Sequence, residues 1–93
     1  MSHASSTVTA ASVLALTRIE LLAAAPDVPV DVAPDADLVR DLGVDLATLR
    51  VFADRLEYRF GMAVPDGDLT RLRSLDDVAE RIVRRAAEAR PLG

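Results

Sequence analysis

Pro26, Pro29 and Pro34 crowd the stretch PDVPVDVAPDADLVR, residues 26–40. Each proline fixes φ and removes a backbone donor, so no long helix crosses this segment. Apolar residues recur at helical spacing on both sides of it. The chain must therefore fold as a helix, a long connection, and then further helices. The connection reads as an ordered loop pinned by Val28, Val30, Val32 and Leu38, with one short turn in DADLVRDLG closed by Gly43.

The first helix is predicted from Thr7 to Ala24. Its stripe is Val8, Ala11, Ala15, Ile19 and Leu22, widened by Leu14, Leu16 and Leu21. The second is predicted over Leu46–Phe60, with Asp45 as N-cap and Gly61 as the stop. Leu46, Leu49, Ala53, Leu56 and Phe60 alternate in steps of 3 and 4, and Phe52 thickens that face. A short third helix fits Asp68–Leu72, after Pro65 and Gly67. The fourth is predicted over Leu75–Ala89, capped by Ser74 and Asp77, with a stripe of Leu75, Val78, Ile82, Val83 and Ala86. Its acids come early and its arginines (Arg81, Arg84, Arg85, Arg90) late, as the helix dipole favours. Asp77–Arg81 and Glu80–Arg84 are predicted i,i+4 pairs.

The whole is an all-α single domain over residues 7–90, with a disordered segment 1–6 and a tail 91–93. Its 51% hydrophobic content gives it enough apolar material to fold. The 93 residues form only a modest core.

The chemistry available is narrow. The chain has no cysteine, and its one histidine is His3. A thiolate site, a zinc centre and a histidine-based triad are thereby excluded, and no catalytic residue is expected. The acids of the loop lack the spacing of a calcium-binding hand, so no metal is expected. A net charge of −4 argues against nucleic acid and for a basic protein partner. No apolar run reaches membrane-spanning length, and the start lacks a cationic leader region. The expected location is the cytoplasm, with no membrane contact.

Four pieces in a fixed order carry a resemblance. ADLVRDLGVD supplies Leu38, Asp41, Leu42, Gly43 and Asp45; RLEYRFG, VPDGDL and LRSLDDVAERI follow without a gap to Ile82. In this order and spacing the chain resembles the acyl carrier protein family. The resemblance implies a four-helix bundle with a long loop between the first two helices and a short third helix. It also implies a serine directly after D-L-G-x-D, bearing 4′-phosphopantetheine. Here that place holds Leu46, which has no nucleophilic atom, so no cofactor is expected. Shifting the register by one residue turns the second helix by about 100° and loses the matches at Leu56 and Phe60. Thr48 lies two positions on and reads as an N3 residue beside the Asp45 cap rather than as a substitute.

The family's second helix is acidic and is read by basic enzyme surfaces. Here its outer face offers Arg50, Val51, Asp54, Arg55, Tyr58 and Arg59, a mixed set that steers weakly. The arginines read either as a solvated face or as a partner-binding stripe. Tyr58 is either an interface anchor or packed on Met62. Leu46 either extends the core stripe or presents an apolar knob at the helix start.

The expectation is an acyl-carrier-like protein without its tether. It acts by contact with a biosynthetic enzyme of a polyketide, fatty-acid or nonribosomal-peptide type pathway. The expected partner-binding residues are Asp45, Leu46, Arg50, Val51, Asp54, Arg55, Tyr58 and Met62. The alternatives are a working carrier whose attachment serine is mutated or replaced, and an unrelated helical interaction domain.

Overall fold

A computed structural model describes residues 9–89. The expectations for residues 1–8 and 90–93, including Val8 in the first stripe, lie outside the described residues. Three α-helices and one 3-10 helix make up the regular structure: α1 (Ala10–Ala24), α2 (Leu46–Phe60), the 3-10 helix (Asp66–Arg71) and α3 (Leu75–Ala89). Among the described residues there is no strand. α1 packs against both α2 and α3, and the 3-10 helix packs against α2. The all-α, acyl-carrier-like bundle with a long first connection is the observed fold.

α2 has the predicted bounds. The Asp45 carboxylate accepts the Thr48 amide at 2.8 Å, and Gly61 ends the helix at φ 64°. Leu49, Phe52, Ala53 and Leu56 are buried. α3 also has its predicted bounds, and the Ser74 hydroxyl accepts the Asp77 amide at 3.1 Å. Leu75, Val78, Ala79 and Ile82 face the core from α3. Each large apolar side chain fully buried in this way contributes about 1.5–3 kcal/mol.

α1 departs from expectation. It starts at Ala10 rather than Thr7, because extended Thr9 caps it through its hydroxyl, which accepts the Ser12 amide at 3.2 Å. Its buried face is Val13, Thr17, Glu20 and Leu21. Ala11, Ala15 and Ile19 of the predicted stripe face solvent, and Leu22 is half-buried. The helix is apolar on nearly every side, so periodicity selects no face. Arg18 and Glu20 select one instead, and Thr17 on that buried side is satisfied within the helix. Thr17 is buried with its hydroxyl donating to the Leu14 carbonyl at 2.8 Å. Arg18 donates to the carbonyls of Val30 and Val32 at 3.2 and 2.6 Å, and Glu20 turns towards α2.

The long connection is a chain of tight turns. The amides of Val28, Val32 and Ala36 donate to the carbonyls of Ala25, Pro29 and Ala33. Val28, Val32 and Leu38 are buried as expected, but Val30 is exposed, because its place in the turn offers Arg18 a carbonyl and the solvent a side chain. The Asp37 carboxylate accepts the amides of Val39 and Arg40 at 3.0 and 2.7 Å, opening the expected turn. Gly43 closes it at φ 71°, a conformation that glycine adopts without strain. Leu38 donates to the Arg73 carbonyl at 2.8 Å and Asp76 to that of Pro34 at 2.9 Å, tying the loop to the approach to α3.

Two smaller expectations are corrected. The short helix is of 3-10 type and begins at Asp66, directly after extended Pro65, not at Asp68. Arg81 approaches Asp68 at 4.0 Å rather than Asp77, which accepts the Arg73 amide at 3.4 Å and so faces its own cap. The Glu80–Arg84 pair forms, at 3.8 Å.

Candidate functional site: the start and outer face of α2

The D-L-G-V-D stretch delivers α2 in a fixed pose. Val44 is buried and its amide donates to the Leu38 carbonyl at 2.9 Å. That places Asp45 at the cap, where hydrogen bonds from the Thr48 hydroxyl and amide hold its carboxyl below the usual range. Thr48 is therefore engaged with Asp45, in keeping with its reading as an N3 residue. The next residue, Leu46, is the first of α2 and is 61% exposed. It does not extend the core stripe, because the buried side of α2 begins one turn later, at Leu49. A hydrocarbon side chain at the open start of the helix supplies contact area but no nucleophile.

The outer face of α2 is more ordered than a solvated charged face. Arg50 is half-buried and donates to Asp54 (3.0 Å), Asp66 (2.7 Å) and the Val64 carbonyl (3.0 Å), with Glu57 at 3.5 Å. Its guanidinium is held above its ordinary pKa, first by the Asp66 hydrogen bond, against a smaller opposing effect of burial. Arg55 donates to one oxygen of Glu20 at 2.7 Å, and Arg59 donates to the other. Arg55 and Arg59 remain exposed, and each of the three arginines is in addition tied to a named carboxylate.

Glu20 is buried in α1, only 4% exposed. Burial alone raises its carboxyl pKa. Hydrogen bonds and charge from Arg59 and then Arg55 together outweigh that and hold it below the ordinary glutamate value. Sequence reasoning did not single out Glu20. The available signal was a lone acid in an apolar helix, with Arg55 and Arg59 one turn apart on another.

Val51 and Tyr58 remain as the exposed apolar members of the face, Tyr58 at 93% exposure and therefore not packed on Met62. They share a shallow groove with Asp54, Arg55, Arg59 and Glu20. Met62 is half-buried against the core. The structure thus gathers Val51, Asp54, Arg55 and Tyr58 on one face, sets Asp45 and Leu46 at its start, and turns Arg50 and Met62 partly inward. Among the described residues no group of three or more His, Cys, Asp or Glu is placed to hold a metal. No described helix is long and apolar enough to cross a membrane.

Residues 19–82 match the model of the family described as "Phosphopantetheine attachment site". The chain is 30% identical over 77 residues to the meromycolate extension acyl carrier protein of Mycolicibacterium smegmatis, covering 74% of this chain and 78% of that protein. It is 29% identical over 77 residues to the protein of the same name from Mycobacterium leprae, with 74% and 67% covered. It is 35% identical over 60 residues to an acyl carrier protein of Rhodococcus erythropolis, with 64% and 66% covered. A chance likeness in an unrelated helical domain is set aside by these matches. The chain belongs to the phosphopantetheine-attachment family, among the acyl carrier proteins.

Proposed function

We propose that this chain is an acyl carrier scaffold that takes no prosthetic arm. Leu46 occupies the attachment position. The protein works by contact with an enzyme of a lipid, polyketide or nonribosomal-peptide type pathway. It acts there as scaffold, allosteric partner or decoy. The single observation that carries this reading is a leucine directly after D-L-G-V-D, exposed at the start of α2 in an otherwise family-like frame. The relatives named for acyl carriage and meromycolate extension favour fatty-acid chain extension within that range of pathways.

The proposed contact surface is Asp45, Leu46, Arg50, Val51, Asp54, Arg55, Tyr58 and Met62. Within it the arginines are already paired, so affinity comes chiefly from Leu46, Val51 and Tyr58, as at interfaces where buried apolar anchors dominate. A second reading, a working carrier loaded at another residue, is favoured only by the accessibility of the helix start. Intact mass after incubation with coenzyme A and a broad-specificity phosphopantetheinyl transferase separates the two. An unchanged mass is expected; a gain of the arm refutes the first reading and directs peptide mapping to Thr48.

A further inference from the structure

α1 leaves one whole face in water. It packs on α2 and α3, and its buried side is Val13, Thr17, Glu20 and Leu21. The opposite side carries Ala11, Ala15 and Ile19, four residues apart and all exposed, Ile19 at 53%. Leu16 and Leu22 flank that line and are half-buried. A helix that is apolar all round is normally covered on every side. Here one side has no element over it among the described residues.

No charge interrupts this face. α1 has two charged residues, and both are engaged within the chain: Arg18 with the carbonyls of Val30 and Val32, Glu20 with Arg55 and Arg59. The one hydroxyl on the face, that of Ser12, donates to the Thr9 carbonyl at 3.1 Å. A partner selected by charge or by hydrogen bonding therefore has nothing to read there. Side-chain size is graded along the face instead. Ala11, Ser12 and Ala15 make its first half small; Leu16, Ile19 and Leu22 make its second half large, with Ala23 alone small beside them.

That grading fits the same face turned end for end. In an antiparallel two-fold pair centred on Thr17, Ile19 of each copy lies over Ala15 of the other, and Leu22 over Ser12. Such an isologous contact requires a patch that complements itself. The chain carries a net charge of −4, so two copies repel at long range, but a charge-free face brings no like charges into contact. The 15-residue face is about 22 Å long and 10 Å wide. That falls well short of the roughly 800 Å² per partner of a standard interface, so the pairing is weak.

We propose that the outer face of α1 is covered by α1 of a second copy of this chain, in an antiparallel dimer that forms at high concentration. The inference needs no statement about position 46 or about an enzyme partner, so it stands or falls separately from the proposed function.

Sedimentation equilibrium of the full chain, from about 10 µM to 1 mM, tests it. A reversible monomer–dimer equilibrium with a dissociation constant of about 10⁻⁴ M is expected. Added salt screens the net repulsion and does not weaken it. Ala15→Arg places a charge at the centre of the face on a residue that suits a helix, and it weakens the dimer about tenfold or more with unchanged helicity. Arg85→Gln, exposed on α3, associates as the parent does. Should Ala15→Arg lose helicity, Ile19→Lys replaces it, with the same loss expected. The chain has no cysteine, so introduced thiols report the orientation alone. In the antiparallel pair position 11 lies across from position 23 and about 18 Å along the helix from its own counterpart. A short bis-maleimide therefore links Ala11→Cys to Ala23→Cys in a mixture, and links neither variant to itself to the same extent. A chain that stays monomeric to 1 mM overturns the proposal and leaves the face to a different protein. Association that weakens with salt, that survives the charged variants, or in which Ala11→Cys links preferentially to itself also overturns it.

Discussion

α1 and α2 have the same length, 15 residues, and the same neighbour in each other, yet they are stabilised on different terms. α2 separates an apolar face from a charged one, so its burial follows from the order of its residues. α1 is apolar nearly all round, and its orientation is set by Arg18 and Glu20, while buried Thr17 satisfies its hydroxyl within the helix. The contrast shows that hydrophobic periodicity locates a face only where polar residues bound it. Where they do not, a few specific polar contacts decide the rotation of the helix.

The sharpest way to break this comparison is to truncate one large apolar residue on each helix, a buried one on α2 and an exposed one on α1. Phe52→Ala on α2 removes a fully buried ring and is expected to cost about 3–5 kcal/mol in urea denaturation. Ile19→Ala on α1 removes a side chain that the periodicity places inside but the structure places outside. It is expected to cost no more than about 0.5 kcal/mol. Comparable losses at the two sites contradict the orientation of α1.

Glu20→Gln comes next. The arginines stay partly hydrated, so the expected loss is about 1–3 kcal/mol at neutral pH. The same contact makes a pH prediction. Glu20 has a depressed pKa in the folded state, so its contribution is fully present above the ordinary glutamate value. It is lost as pH falls through the lower, folded-state value. Denaturation midpoints measured from neutral pH down to below 4 are therefore expected to converge for the parent and the Gln variant. A gap that persists in acid shows that charge at Glu20 does not fix α1.

A smaller effect belongs to the start of α2. Asp45→Ala removes the carboxylate that accepts the Thr48 amide and is expected to lower the thermal or urea midpoint, by less than Glu20→Gln does. Asp45→Asn keeps an acceptor and should recover most of it. Failure of the Asn variant to recover indicates that the negative charge, not the cap hydrogen bond, is the stabilising element.

Much of the fold was legible because it rests on local rules. Asp45, Gly61 and Ser74 announce helix ends through capping chemistry that needs no tertiary information. Gly43 does the same for the turn ahead of α2. The face of α1 was not legible, because it depends on Glu20 meeting Arg55 and Arg59 across 35 and 39 residues of chain. Val30 differs for a related reason: as an apolar residue of the loop it reads as a pin, but the turn directs its carbonyl, not its side chain, towards Arg18. At the candidate site the identity of position 46 was plain in the sequence. Its exposure was not, since a leucine in register with Leu49 and Ala53 reads as core until the start of the bundle is seen to be open. The pairing of Arg50 with Asp54 follows from i,i+4 spacing, but its contact with Asp66 needs the 3-10 helix to be in place.

The central claim is that a carrier scaffold persists here with only its attachment chemistry removed. The most direct measurement is the intact mass of the Leu46→Ser variant after incubation with coenzyme A and a broad-specificity phosphopantetheinyl transferase. A gain of one phosphopantetheine arm, mapped to residue 46 and absent from the parent, is the predicted result. A serine variant that folds and stays unmodified contradicts the claim, because the surface and helix register that a transferase reads are then absent as well.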